Sequence, residues 1–285
     1  MTELSVGLAQ LSFEWGAPEE NFQKVKGWIK AAAAQDLELL LLPELWASGY
    51  DLANSAQYAA PRQKGLFRQM KELALETGLV LGGSLLEQDQ SGVYNTFYLY
   101  GPDLEAYYRK IHLFRLLEEE KWLKAGSHLT TLTWKGVKMG LATCYDLRFP
   151  EMFREYAVRG VELVLLVAEW PESRIVHWQK LLQARAIENQ LFLAAVNKVG
   201  TSQGQLLGGK SALVDPWGDV VAGGGSGEGL ISGEINLNQV EKARRWIPIL
   251  QDRNPEAYQK VEDASGKDAS REGASGEGAS GEGAS

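Results

Sequence analysis

Short apolar runs alternate along this chain with segments of helical periodicity, and no linker interrupts the alternation before residue 262. That pattern constrains the fold more than any other feature, because strands and helices that alternate must bury their apolar faces on each other in layers. Strands are expected over residues 5–11, 37–42, 80–86, 96–100 and 105–108. A hairpin over 129–134 and 137–143 turns at Lys135-Gly136. Further strands are expected over 161–168, 191–196, 211–214, 220–222 and 230–235. Helices are expected over 18–34, 63–77, 150–159, 175–189 and 238–245, with Pro150 opening the third and Gly78 closing the second. The reading is one α/β domain over residues 1–262, with layered sheets and helices outside.

Residues 263–285 change character. They hold no aromatic or β-branched side chain and repeat Ala-Ser-Gly-Glu-Gly, so they have nothing to bury and read as a solvated, disordered tail. Five acids against Lys267 and Arg271 give that stretch −3 of the net −8.

The acidic balance argues against a nucleic-acid partner, which calls for clustered Lys and Arg. The apolar runs are strand-sized, well short of the ~20 residues of a membrane helix. The N-terminal residues lack the basic start and long apolar core of a signal peptide. A single cysteine, Cys144, fits a reducing compartment, with the cytoplasm as the default. No dinucleotide or phosphate-loop fingerprint is present, and Gly223-Gly224-Gly225 reads as a flexible turn.

Cys144 can form no intrachain disulfide, which leaves a core thiol or a nucleophile. A thiol of ordinary pKa, about 8.5, needs a base or a cation beside it to react at neutral pH. The chain offers three histidines, His112, His128 and His177, but no protease signature surrounds the cysteine. Other candidates stand where strands end: Glu44 after Leu-Leu-Leu-Leu-Pro, Lys110 after the strand at 105–108, and Cys144 after the strand at 137–143. Taken singly, Glu44 and Lys110 also read as solvated strand ends, and Cys144 as packing.

Three segments change that balance. Leu42-Pro43-Glu44-Leu45-Trp46, Tyr108-Arg109-Lys110-Ile111-His112-Leu113-Phe114 and Cys144-Tyr145-Asp146-Leu147-Arg148-Phe149-Pro150 together resemble the carbon–nitrogen hydrolase (nitrilase) superfamily, in its order and spacing, over residues 6–258. The resemblance implies an α-β-β-α sandwich that becomes four-layered in a homodimer. It implies a catalytic set of Glu44, Lys110 and Cys144, with no metal or organic cofactor. A second glutamate is usual in the loop after the lysine. Glu118, Glu119 and Glu120 compete for it, and Glu119 best matches the glutamate before the aromatic residue and the Ala125-Gly126 turn.

Cys-Tyr-Asp at the nucleophile looks like an amidase rather than a true nitrilase, and the block from Ala168 to Gln190 is similar to bacterial ω-amidases. The implied substrate is the ω-amide of a 2-oxo dicarboxylate such as 2-oxoglutaramate. The Tyr145 backbone N–H would share the oxyanion with Lys110, Arg174 would clamp the far carboxylate, and Trp170 would form a wall. Arg185 and Glu188 are expected to brace their helix, with His177 and Trp178 as packing residues. An N-carbamoyl or deaminated-glutathione amidase with the same triad remains open, as does a non-catalytic scaffold. An N-acyltransferase or a glutaminase domain would need membrane helices or a fused synthetase, and neither is in this sequence.

Overall fold

The structure, a computed structural model, describes residues 3–260. The expected tail at 263–285 lies outside the described residues. Two compact units divide after Ile247. Of the second unit, the described part is residues 248–260, with a 3-10 turn at Ala257–Gln259.

The first unit contains two six-stranded sheets. In chain order the strands are β1 (Glu3–Gln10), β2 (Leu39–Leu41), β3 (Val80–Asp89), β4 (Gly92–Gly101), β5 (Leu104–Arg109), β6 (Thr131–Trp134), β7 (Val137–Thr143), β8 (Leu163–Ala168), β9 (Phe192–Asn197), β10 (Val199–Ser202), β11 (Gln205–Gly208), β12 (Ala212–Val214), β13 (Val220–Gly223) and β14 (Gly229–Asn236). The helices are α1 (Pro18–Ala33), α2 (Ser55–Tyr58), α3 (Gly65–Thr77), α4 (Pro150–Val158), α5 (Ile175–Asn189) and α6 (Asn238–Trp246).

One sheet runs β14-β1-β2-β3-β4-β5 and the other β13-β12-β9-β8-β7-β6. Each has three parallel strands at its heart, β1-β2-β3 and β7-β8-β9, flanked by antiparallel ones. The two sheets therefore share an arrangement of strand directions that no sequence repeat announces, although the edge strand β14 returns from the far end of the first unit while its counterpart β6 directly precedes β7. β2, β8 and β9 are buried throughout, which explains their unbroken apolar runs: a strand covered on both faces has no polar side to alternate with.

The sheets touch through β1 with β9, β4 with β7, and β14 with β12 and β13. α3 packs on β3 and β4, and α1 packs on α3; across the molecule α5 packs on β9 and β12, and α4 on α5. The layers are thus α-β-β-α. α1 presents Phe22, Val25 and Ile29 to a core shared with Phe67 and Met70 of α3 and with Leu40 and Leu81 of the sheet. Pro18 opens α1, Glu19 and Glu20 occupy its first turn and Lys30 its last, each favourable to the helix dipole. α3 ends on Gly78 at φ 73°, a left-handed cap that glycine adopts without a Cβ penalty.

Two departures from the sequence reading matter for the site. The hairpin of β10 and β11 was not expected; it turns on Gln203 (φ 47°) and Gly204 (φ 74°). His177 is exposed on α5 rather than packed, whereas Trp178 is fully buried and donates its indole N–H to the Lys210 carbonyl at 2.7 Å. Among the described residues, no helix is long and apolar enough to cross a membrane.

Gln10 joins the sheets. Its Oε1 accepts the Ser211 N–H at 2.9 Å, and its Nε2 donates to the carbonyls of Gly225 (3.1 Å) and Gly227 (2.6 Å). Gln10→Leu leaves the Ser211 N–H, in a fully buried place, without its acceptor. It should lower unfolding stability by about 3 kcal/mol in urea titration; a loss under about 0.5 kcal/mol would contradict this account.

Candidate active site

The C-terminal ends of parallel strands are where open α/β sheets place ligands. Glu44 follows β2, Cys144 follows β7, Glu169 follows β8 and Lys198 follows β9, while Lys110 follows the antiparallel β5. The structure brings Glu44, Lys110, Glu119 and Cys144 together at one buried centre.

Lys110 Nζ lies 2.9 Å from Glu44 Oε1 and 2.8 Å from Glu119 Oε1, and all three side chains are 0% exposed. Glu44 Oε1 also accepts Tyr50 O–H at 2.6 Å and Asn95 Nδ2 at 2.8 Å, while Oε2 accepts the Glu169 N–H at 3.0 Å. Glu119 Oε2 accepts the Phe114 N–H at 3.0 Å. Local geometry separates the three adjacent glutamates. Glu118 takes a left-handed conformation (φ 53°), which turns Glu119 inward and leaves Glu118 and Glu120 exposed. Gly126 fixes the end of β5: its N–H donates to the Lys110 carbonyl at 2.8 Å, and a Cβ there would meet the Arg109 carbonyl oxygen at 2.1 Å.

Cys144 stands at the start of a 3-10 turn, Cys144–Arg148, with φ 46°. Such a conformation is uncommon for a residue with a Cβ and collects at functional sites. Asp146 holds the turn. Its Oδ2 accepts the Thr143 N–H (2.8 Å) and Tyr108 O–H (2.7 Å), and its Oδ1 accepts the His112 N–H (3.2 Å) and faces His112 Nδ1 (2.7 Å). Arg185 ties α5 to the same turn through Nε to the Leu147 carbonyl at 3.1 Å, and pairs with Glu188 at 2.9 Å as its spacing suggested. The thiol itself points to the Glu169 carbonyl, Sγ to O 3.8 Å.

None of the three histidines attends the thiol. His112 serves Asp146 and stacks on Phe149 at 3.6 Å, His128 faces Ser127, and His177 lies 3.5 Å from Arg148.

Burial pushes the Cys144 thiol well above its ordinary pKa; the Glu44 charge adds to this, and Lys110 opposes it. Burial works against the charge on Lys110, but Glu119 and Glu44 outweigh it and hold its pKa well above the usual lysine value. Burial raises Glu119, with Lys110 pulling the other way. The resting centre therefore has a protonated thiol and a permanent cation.

Above the thiol lies a pocket with about 590 Å³ of empty space, open solvent included. Tyr145, Trp170 and Arg174, all expected at the site, line it. So do Arg148, Phe114 and the β10–β11 hairpin through Ser202, Gln203 and Gln205, which the sequence reading missed. Gln203 donates to the Tyr50 carbonyl at 3.2 Å, fastening the hairpin tip beside the pocket. The Arg148 guanidinium lies 4.7 Å from the Trp170 ring centre, and the Arg174 guanidinium 5.5 Å from that of Phe114. Trp170 Nε1 donates to the Arg174 carbonyl at 2.9 Å, so one indole props both. Burial and then the like charge of Arg174 push Arg148 below the usual arginine pKa. Neither arginine has a carboxylate partner among the described residues. The motif Cys144-Tyr145-Asp146-Leu147-Arg148 contained Arg148, but not the direction of its side chain.

The model of the carbon–nitrogen hydrolase family matches residues 5–245. This chain belongs to that family. A 2-oxoglutaramate amidase of Bacillus subtilis (strain 168) is 37% identical over 257 residues, 89% of this chain and 99% of the relative. A CN-hydrolase superfamily protein of Xanthomonas campestris, solved with an arsenic adduct in its active site, superposes with a TM-score of 0.84 at 32% identity, covering 89% of this chain and 98% of that one. A glutamate-to-glutamine mutant of an amidase from Nesterenkonia was solved with the acetamide moiety of fluoroacetamide added covalently at its active-site cysteine. It superposes with a TM-score of 0.80 at 28% identity, covering 90% and 95% of the two chains. Among carbon–nitrogen hydrolases, then, the α-β-β-α fold found here carries amidases.

The electrostatics of this centre have a sign that can be measured. The negative charge of Glu44 helps keep the proton on sulfur, so Glu44→Gln should move the thiol's ionisation to lower pH. Cys144 is the only cysteine, so the ultraviolet absorbance that is lost on replacing it with alanine at each pH reports its thiolate. A midpoint that rises or stays put would contradict the arrangement.

Proposed function

We propose that this carbon–nitrogen hydrolase cleaves the terminal amide of a small 2-oxo dicarboxylate monoamide, with 2-oxoglutaramate the first substrate to test. The observation that carries the reading is the pairing of a thiol on the pocket floor with two guanidiniums, Arg148 and Arg174, that have no carboxylate of their own among the described residues. A substrate carboxylate supplies what they lack, and bidentate guanidinium–carboxylate bonds fix its register. Phe114, Tyr145 and Trp170 line the rest of the pocket with aromatic surface suited to a short carbon chain. The 2-oxoglutaramate amidase activity of the Bacillus relative points the same way.

In this reading Glu44 takes the thiol proton as sulfur attacks the amide carbon, because a thiol with a raised pKa needs its base in the same step. Lys110 and the Tyr145 N–H receive the oxyanion. The N–H groups opening a 3-10 turn have no partner within it and are free for that task. Collapse breaks the C–N bond, Glu44 returns its proton to the leaving nitrogen, and ammonia departs from a thioester on Cys144. Glu44 then takes a proton from water, which attacks the thioester and releases the acid and the thiol. Glu119 keeps Lys110 charged and in place. The same reading makes the protein a cytoplasmic homodimer. Val176 and Ile187 of α5, Trp217, and Trp246 of α6 leave large apolar surface exposed for such a contact.

Ammonia release should be greatest from 2-oxoglutaramate in a panel with N-carbamoyl amino acids, glutamine, butyramide and simple nitriles. Cys144→Ala should lose more than about 1,000-fold in kcat. Arg174→Gln and Arg148→Gln should each cut kcat/KM for 2-oxoglutaramate by roughly 10- to 100-fold, the worth of a charge-assisted hydrogen bond. Both should leave butyramide, which has no carboxylate, within threefold. Equal losses on both substrates would remove the arginines from substrate recognition.

A further inference from the structure

A second buried ion pair stands beside the catalytic centre and takes no part in the chemistry proposed above. Lys198 Nζ meets Glu169 Oε2 at 2.6 Å, with side chains 3% and 5% exposed. The pair follows from the sheet register. β8 and β9 are parallel neighbours with Ala168 opposite Asn197, so the next residues, Glu169 and Lys198, emerge level with each other. Lys198 is pinned on its own account: its N–H donates to the Ala168 carbonyl (3.2 Å), its carbonyl accepts from Gly209 (3.0 Å), and its ammonium lies 5.5 Å from the Phe13 ring centre.

The main chain of Glu169 is what touches the chemistry. Its N–H is the hydrogen bond to Glu44 Oε2, at 3.0 Å, and its carbonyl faces Cys144 Sγ at 3.8 Å. Glu44 Oε1 is crowded by donors from Tyr50, Asn95 and Lys110. Oε2 therefore has the spare lone pair for a proton, and the Glu169 N–H aims that oxygen. The main chain of one residue, through the two peptide groups that flank its Cα, thus sets the base and the nucleophile relative to each other. Its carboxylate is anchored by Lys198, as buried charges are retained only when paired.

We infer that Lys198 is a positioning residue, which acts through the Glu169 side chain to hold the main chain that aligns Glu44 Oε2 with the Cys144 thiol. This rests on the assignment of Glu44 as the base. Small displacements of reacting groups are costly to rate and nearly neutral to binding.

The test compares wild type, Lys198→Met and Lys198→Arg in two assays on the full chain. In the first, turnover of 2-oxoglutaramate by Lys198→Met should fall roughly 10- to 100-fold in kcat with KM within threefold. Lys198→Arg, which keeps the ion pair, should recover to within about fivefold of wild type. In the second, iodoacetamide alkylates Cys144: the S–C bond forms, iodide leaves and Glu44 takes the thiol proton. Mass spectrometry counts the adduct on the single cysteine, and the rate should fall and recover in the same order. Kcat and alkylation within twofold of wild type in Lys198→Met would overturn the inference, as would a loss confined to KM. Should Lys198→Met not fold, Glu169→Gln reads the same quantity: alkylation slowed fivefold or more supports the role, and an unchanged rate ends it. Alkylation needs no amide substrate. A wild type that releases no ammonia from any amide would therefore sink the amidase reading, while the alkylation ratios still decide on Lys198.

Discussion

The structure depends on keeping one ammonium, that of Lys110, charged and dry between two carboxylates. An isolated charge in such a place would shed its proton or unfold its surroundings. Here Glu44 and Glu119 outweigh the burial penalty. They can do so only because each is itself supplied with donors: Tyr50, Asn95 and the Glu169 N–H for Glu44, and the Phe114 N–H for Glu119. Those donors come from the loop after β2, from β4, from the end of β8 and from the segment after β5. The charges are tolerable only if the two sheets bring their strand ends to one place. The same convergence sets the thiol against Glu44, so assembling the sandwich and assembling the proposed catalytic centre are one event.

What was legible in the sequence follows from this. β8, β9 and α5 declare themselves because continuous apolar runs and a well-marked helix leave no rival reading, and α5 spans Ile175–Asn189 as expected. The three charged or nucleophilic residues at strand ends were legible through their flanking motifs. The β10–β11 hairpin was not, because its strands are four residues each and mostly polar or glycine. Glu119 could be preferred over its neighbours by pattern alone, yet the reason lies in the left-handed backbone at Glu118, which no local signal encodes.

Contacts made across the sheets were beyond sequence reading. Whether His112 served Cys144 or Asp146 depended on which way β5 and β7 face each other, and the answer was Asp146. Arg148 sat in plain view four residues after the cysteine, but only the 3-10 turn directs it into the pocket. Glu169 and Lys198 each follow a legible strand. Their pairing needed the knowledge that β8 and β9 are adjacent and in register.

The state of the thiol explains why the centre has two carboxylates and one lysine rather than a cysteine–histidine ion pair. In such a pair the cysteine rests as a thiolate, ready to react and equally ready to be oxidised. Here burial and the Glu44 charge keep the proton on sulfur. In the proposed mechanism nucleophilicity appears only when a substrate carbon is in place and Glu44 takes the proton in the same step. Lys110 meanwhile keeps its proton, since its two carboxylates hold it charged. The positive field offered to an oxyanion is therefore present before the reaction and unchanged by it, and the water-poor setting makes it strong. Glu44 alone changes protonation during the proposed cycle. Four groups, from Tyr50, Asn95, Lys110 and the Glu169 main chain, donate to its two oxygens and fix where they stand. A carboxylate held in one place can take a proton from sulfur, surrender it to nitrogen, and meet the incoming water without moving.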